Sequence, residues 1–191
     1  MSALPTQPLP PRKDRMTGRS ASAGASLLFL REDELRTAQD MLFFLIRDIN
    51  AQPDAILSEF GYGRAHHRCL HWIARRPGLK VGELLAILDI TKQSLTRVLG
   101  PLISDGYVKQ TPGRKDRRQR LLTLTESGGA LERRLFEAQR ERLLHAYRTA
   151  GGAAVEGFKR VISELIGPQG HQILDGTIAS PALPMPPSHQ G

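Results

Sequence analysis

The stretch LKVGELLAILDITKQSLTRVLGPLISDGYVKQTPGRKDRRQRLLTL, residues 79–124, decides how this chain folds. It opens with two short segments of helical periodicity, Val81–Leu88 and Lys92–Asp105, separated by Asp89-Ile90-Thr91. The first segment puts Leu84, Leu85 and Leu88 on one face. The second does the same with Leu95, Val98, Leu99 and Leu102. Thr91 is a good N-cap, its hydroxyl placed to accept from the amide of Gln93 or Ser94. Val81-Gly82, by contrast, offers no Ser, Thr or Asp cap to the first helix. Pro101 removes the amide that would bond the Arg97 carbonyl, so the second helix is expected to bend or loosen after Leu99. Gly106 ends it as a C′ residue, and Tyr107–Thr111 and Gln119–Leu124 read as antiparallel strands around a loop opened by Pro112-Gly113.

The residues left outward carry the chemistry. Thr91, Lys92, Gln93, Ser94, Thr96 and Arg97 crowd the N-terminal half of the second helix. Arg and Lys can donate to guanine O6 and N7, Gln can pair with adenine, and Ser and Thr reach bases or phosphates. A solvated helix face has a similar composition, so the helix alone does not decide the matter. The loop does. Residues 113–120 hold five cations, Arg114, Lys115, Arg117, Arg118 and Arg120, against the single anion Asp116, which is expected to brace a neighbouring arginine. Such a loop repels itself in isolation and is best accommodated against phosphates or a minor groove. A helix–turn–helix followed at once by a cationic hairpin is a DNA-reading arrangement.

Composition agrees. The chain has 191 residues, 27 Lys and Arg against 19 Asp and Glu, and a sequence pI near 10.2. That balance suits a polyanionic partner, nucleic acid before membrane surface. Residues 79–124 alone hold nine of the cations and four of the anions. The single cysteine, Cys69, precludes an intrachain disulfide, and the longest apolar run, Met41–Ile46, is far too short to span a bilayer. The chain reads as soluble and cytoplasmic, with no membrane partner. Residues 1–30, with four prolines and a Ser/Ala/Gly run, read as a disordered arm. The proline-rich residues 168–191 read as a disordered tail.

Helices flank the reading stretch. Leu35, Ala38, Leu42, Leu45 and Ile49 recur on one stripe of a helix over 32–50, widened by Met41 and Phe44 and stopping before Pro53, with a short helical turn after it. Thr125 caps a long helix reaching about Ala150, and Val155, Phe158, Ile162 and Leu165 line a last one over 153–166. Stripes this wide need a partner surface, either the chain's own core or a second subunit. Between them a helix over 64–75 gathers His66, His67, Cys69 and His71. His67 and His71 are four apart, a spacing compatible with metal ligation, yet no second cysteine or acid within the helix completes a tetrahedral set. A metal- or redox-responsive sensor built on these four residues, acting through protein contacts, is the alternative to the DNA reader. No Gly-rich phosphate loop or catalytic setting for Cys69 is evident, so neither an enzyme nor a cofactor is expected.

The segments ITKQSLTRVLGPLISDGYVKQ (90–110) and GRKDRRQRLLTLTESG (113–128), with the helix after them, resemble the MarR family of bacterial regulators. GRAHHRCLH (63–71) together with ITKQSL is similar to its PetP-type subgroup. The resemblance runs from about residue 33 to 166. It implies a mainly α fold with a small β-hairpin wing: a winged helix–turn–helix domain over 31–167, with a DNA-binding lobe at 64–124. It further implies that helices 32–50 and 126–166 intertwine in a homodimer. The second helix of the pair would enter the major groove, the wing would reach the minor groove with an arginine near 117 or 118, and the operator would be pseudo-palindromic. A small effector often binds between the dimer helices and the lobe. One departure bears on redox sensing: the best-known sensing members carry their cysteine near the first helix, whereas Cys69 lies in the second.

Overall fold

The computed structural model describes residues 28–113 and 116–178. Arg114 and Lys115, both expected in the wing, lie outside the described residues, as do 1–27 and 179–191. The elements in order are a 3-10 turn at Leu28–Leu30, then α1 (Glu32–Ser58), α2 (Arg64–Arg75), β1 (Leu79–Lys80), α3 (Val81–Leu88), α4 (Lys92–Ser104), β2 (Val108–Pro112), β3 (Arg120–Leu124), α5 (Glu126–Ala150), α6 (Gly152–Leu165) and α7 (Pro168–Ile178). This is a mostly helical fold with one small antiparallel sheet. The chain divides into two compact units, Met1–Arg47 and Asp48–Gly191, so the boundary falls inside α1.

In the first unit, Glu32, Asp33 and Glu34 sit in the first turn of α1, where negative charge complements the helix dipole. Arg36 pairs with Glu32 one turn back at 2.6 Å. The apolar residues of this unit are open: Leu35, Met41, Phe43, Phe44 and Ile46 are each more than half exposed.

The second unit closes around Leu57, Leu70, Ile73, Leu84, Leu102, Leu122 and Leu135, all fully buried. Helix α2 is the hub, packing against α3, α4, α5 and β3. The sheet has three strands in the order β1-β3-β2 rather than the two of a hairpin. Val108 pairs with Leu124 and Pro112 with Arg120, while Leu79 and Lys80 pair with Leu122 and Leu121 on the other side of β3. A two-residue strand has no readable periodicity, and β1 exists only because β3 offers its free edge. The wing is thereby tied to the start of α3.

Three expectations need correction. Helix α1 does not stop before Pro53 but runs through it to Ser58. Pro53 cannot donate to the Ile49 carbonyl, and Gln139 Nε2 of α5 takes that place at 3.5 Å, while the proline ring is itself buried. Helix α4 is continuous past Gly100-Pro101 to Ser104, so the proline does not end it. Leu99 and Leu102 are buried on either side of the proline, whose own ring faces solvent, so packing overrides local propensity. Residues 168–178 are helical rather than disordered: Pro168 stands at the first helical position, where its missing amide costs nothing. Gln169 Nε2 donates to the Ala86 carbonyl at 2.9 Å, and the Arg76 guanidinium donates to the Ile173 carbonyl at 2.6 Å, so α7 is held by α2 and α3. At the other end, residues 28–30 of the expected arm form the 3-10 turn.

Thr125 joins wing to long helix. Its Oγ1 accepts from the Gly128 amide at 3.0 Å and donates to the Gly106 carbonyl at 2.7 Å. Gly128 lies so near the chain that a Cβ there would stand 2.0 Å from the Tyr107 carbonyl oxygen, and only glycine fits.

Candidate nucleic-acid interface

Helix α4 starts as its sequence dictates. Thr91 Oγ1 accepts from the Ser94 amide at 3.2 Å, with Thr91 in extended backbone at φ −70° and ψ 155°. Asp89 turns the chain with a left-handed φ of 50°. Thr91, Lys92, Gln93, Ser94, Thr96 and Arg97 are all exposed, as expected of a reading face. Two of them are partly committed. Thr96 donates its hydroxyl to the Lys92 carbonyl at 2.9 Å, and Thr91 donates its own to Ser94 Oγ at 3.0 Å. Lys92, Gln93 and Arg97 are therefore the longer exposed donors of the set.

No side-chain cap bonds the first amides of α3, but Glu83 reaches back to the residue before the helix. Glu83 Oε2 accepts from the Lys80 amide at 2.9 Å, and Glu83 Oε1 lies 3.8 Å from Lys80 Nζ. The signal was the Lys-x-x-Glu spacing, which holds the back half of a capping box without a Ser or Thr in front.

In the wing, Asp116 holds its neighbour Arg118 through the backbone. Its Oδ1 accepts from the backbone amide of Arg118 at 2.9 Å, an Asx-type turn. The loop is closed by Gly113 and Gln119, the Gly113 amide donating to the Gln119 carbonyl at 2.9 Å. Asp116, Arg117, Arg118 and Arg120 are exposed.

The sheet and the two helix starts enclose a cleft of about 610 Å³ lined by Lys80, Val81, Gly82, Glu83, Lys92, Gln110, Arg118, Gln119 and Arg120. Four cations from β1, α4, the wing loop and β3 line this cleft with one carboxylate, Glu83, which is engaged by Lys80. Lys80 and Gln110 were not singled out from sequence. Only the pairing of β1 and β2 with β3 brings them beside Lys92 and Arg118.

The histidines do not converge in the same way. His66 Nδ1 accepts from the Gly63 amide at 3.1 Å, capping α2, and its ring stacks on Tyr62. His71 meets Trp72 edge-on, its Nδ1 3.8 Å from Glu132. Burial holds both His66 and His67 below the usual imidazole range, with His71 adding to the effect on His67. Cys69 is fully buried, and burial pushes its thiol up to about 12, against the pull of Arg68. A thiol held protonated is a poor nucleophile and a poor redox sensor. Among the described residues no three His, Cys, Asp or Glu side chains are grouped to hold a metal, and no helix is long and apolar enough to cross a membrane.

A helix–turn–helix, a sheet-borne cationic wing and a basic cleft between them define a winged helix–turn–helix protein. Comparison places it further. The model of the MarR family matches residues 60–119. The HTH-type transcriptional regulator PetP of Rhodobacter capsulatus is 50% identical over 153 residues, covering 80% of this chain and 92% of that one. Among solved structures, a MarR mutant from E. coli complexed with operator DNA shares the fold at TM-score 0.56 and 20% identity, covering 73% of this chain and 99% of that one. A further MarR family transcription regulator does so at TM-score 0.62 and 17% identity, covering 84% and 100%. The chain belongs to the MarR family. It is a transcriptional regulator, as its relatives are, and not an enzyme.

Proposed function

We propose that the chain acts as a homodimer on a pseudo-palindromic operator, one α4 entering the major groove of each half-site. Lys92, Gln93, Ser94 and Arg97 contact base edges and phosphates, with Thr91 and Thr96 supporting from the helix start. Arg117, Arg118 and Arg120 carry the wing, and Arg114 and Lys115 are proposed with them on sequence alone. Lys80 and Gln110 extend the same surface. The observation that carries this reading is the cleft lined by Lys80, Lys92, Arg118 and Arg120, whose one carboxylate, Glu83, is engaged by Lys80. Four cations gathered without equal counter-charge favour a polyanion, and phosphate contacts release counterions.

The homodimer is supported by apolar surface that a single copy leaves open. Leu35, Met41, Phe43, Phe44 and Ile46 are exposed on α1, and Phe158, Val161 and Leu165 on α6. Clusters of this kind mark association surfaces. The histidine and cysteine sensor has less behind it, since its residues serve caps, core and ring contacts.

Salt titration tests the DNA reading. With a duplex recovered by in vitro selection, Arg118→Ala is expected to weaken binding and lower the slope of log affinity against log salt by about 1. Arg97→Ala is expected to cost about 1–3 kcal/mol and to relax sequence preference at one position per half-site. Unchanged affinity and slope in both variants would sink the assignment.

A further inference from the structure

Tyr62 belongs neither to the reading face nor to the wing, yet it touches three elements that position them. It is nearly buried, at 9% exposure. Its amide donates to the Leu57 carbonyl at 3.0 Å, tying it to the last turn of α1. Its ring stacks on His66 of α2, with centroids 4.7 Å apart at 15°, and meets Tyr107 edge-on at 5.9 Å, just before β2. Its hydroxyl donates to Asp105 Oδ2 at 2.5 Å across 43 residues of sequence.

Asp105 is the C-cap of α4. A carboxylate at a helix C-terminus opposes the helix dipole, so this position does not favour Asp on local grounds. What offsets that cost is tertiary: the Tyr62 hydroxyl on one oxygen and the Ser104 hydroxyl on the other, at 3.0 Å. Burial and the neighbouring carboxylate both raise the Tyr62 phenol above its ordinary range, so it stays a hydrogen-bond donor across the working pH span.

We infer that Tyr62 is a positioning residue for sequence reading: its hydrogen bond to Asp105 fixes the C-terminal end of α4, and with it the angle at which the N-terminal residues of α4 meet DNA. The lever is long enough to matter. Thirteen residues make a rod of about 18–20 Å at 1.5 Å each. A tilt of ~5° at the pinned end moves the far end by ~1.5 Å, enough to spoil the narrow geometry of hydrogen bonds to base edges. Phosphate contacts from long Lys and Arg side chains tolerate such a shift better, so the effect falls on discrimination before it falls on affinity.

The inference rests on α4 being the reading helix, and the experiment separates the two. The intact chain is first used to select a preferred duplex from a random library. Binding to that duplex and to a scrambled one of equal length is then compared for the wild type, Tyr62→Phe, Asp105→Ala, Asp105→Asn and Arg97→Ala. Tyr62→Phe keeps the ring and its packing and removes only the hydroxyl. It is expected to lower the preference for the selected duplex about tenfold, with affinity for the scrambled duplex and the salt slope unchanged. Asp105→Ala should match it, the double variant Tyr62→Phe/Asp105→Ala should be no worse than either single change, and Asp105→Asn, which keeps an acceptor, should restore most of the preference. Full preference in Tyr62→Phe while Arg97→Ala loses it overturns the positioning role and leaves the reading helix standing. Equal loss on both duplexes also overturns it, because that is what a merely structural tyrosine would give. A wild type that selects no sequence overturns the reading helix and this inference together.

Discussion

Residues 28–47 and the lobe from Arg64 to Leu124 treat their apolar side chains in opposite ways. In the lobe Leu70, Ile73, Leu84, Leu102 and Leu122 are buried to nothing, and the described cations other than Arg76 are exposed. In the first unit Met41, Phe43, Phe44 and Ile46 stand in solvent on an otherwise regular helix. Isolated helices draw little stability from propensity and most of it from packing an apolar face. The lobe finds that packing inside one chain. The helix of the first unit does not, and on this account a second copy supplies it. On the proposed reading, the lobe presents a reading face by itself, and setting the spacing between two faces needs two chains.

The largest expected effect breaks the open side. Replacing Phe43 and Ile46 together by Glu removes two side chains each contributing about 1.5–3 kcal/mol on burial and adds charge. The dimer dissociation constant should rise by about a hundredfold or more. Sedimentation equilibrium should show the mass falling from about twice 21.1 kDa to one chain. An unaltered protein that is already a monomer at working concentration would contradict a dimer built on this face.

A smaller effect sharpens the closed side. Leu102→Ala, at a fully buried position on α4, should cost about 2–5 kcal/mol in a denaturant titration while leaving the dimer mass unchanged. An unchanged midpoint would show that α4 does not depend on this packing to carry Pro101.

The smallest is a pH dependence confined to the lobe. His66 and His67 have folded-state values below the ordinary 6.5, because burial disfavours the imidazolium. As pH falls below about 6.5 the unfolded chain takes up protons that the folded chain refuses, so stability declines with falling pH until the depressed folded values are reached. Above that window their contribution is complete. His67→Gln should flatten part of the decline between pH 7 and 5.5 in thermal unfolding. A wild type that gained stability over that interval would have the sign wrong.

Much of the lobe was legible because its signals are local. Thr91 and Thr125 announce helix starts, the leucine spacings announce buried faces, and the charge of residues 113–120 announces the wing. What was not legible depends on distant partners. Pro53 reads as a stop, yet Gln139 from α5 serves the carbonyl it orphans. Leu79-Lys80 is too short to read as a strand until β3 lies beside it. Lys80 and Gln110 look like ordinary surface residues until that pairing places them in the cleft. Residues 168–178 look like the start of a proline-rich tail, although Pro168 sits where a helix accepts it and Gln169 reaches α3. Asp116 reads as bracing a neighbouring arginine, and it does so through the Arg118 amide, a turn that the charge pattern alone does not show.

The central claim is that the basic lobe is one half of a two-copy reader. In vitro selection from a random duplex library, sequenced after several rounds with the intact chain, tests it most directly. The account predicts an inverted repeat whose half-sites lie about one helical turn apart, centre to centre at roughly 10 base pairs. A single unsymmetrical motif bound by one chain, or enrichment of no sequence at all, would contradict it.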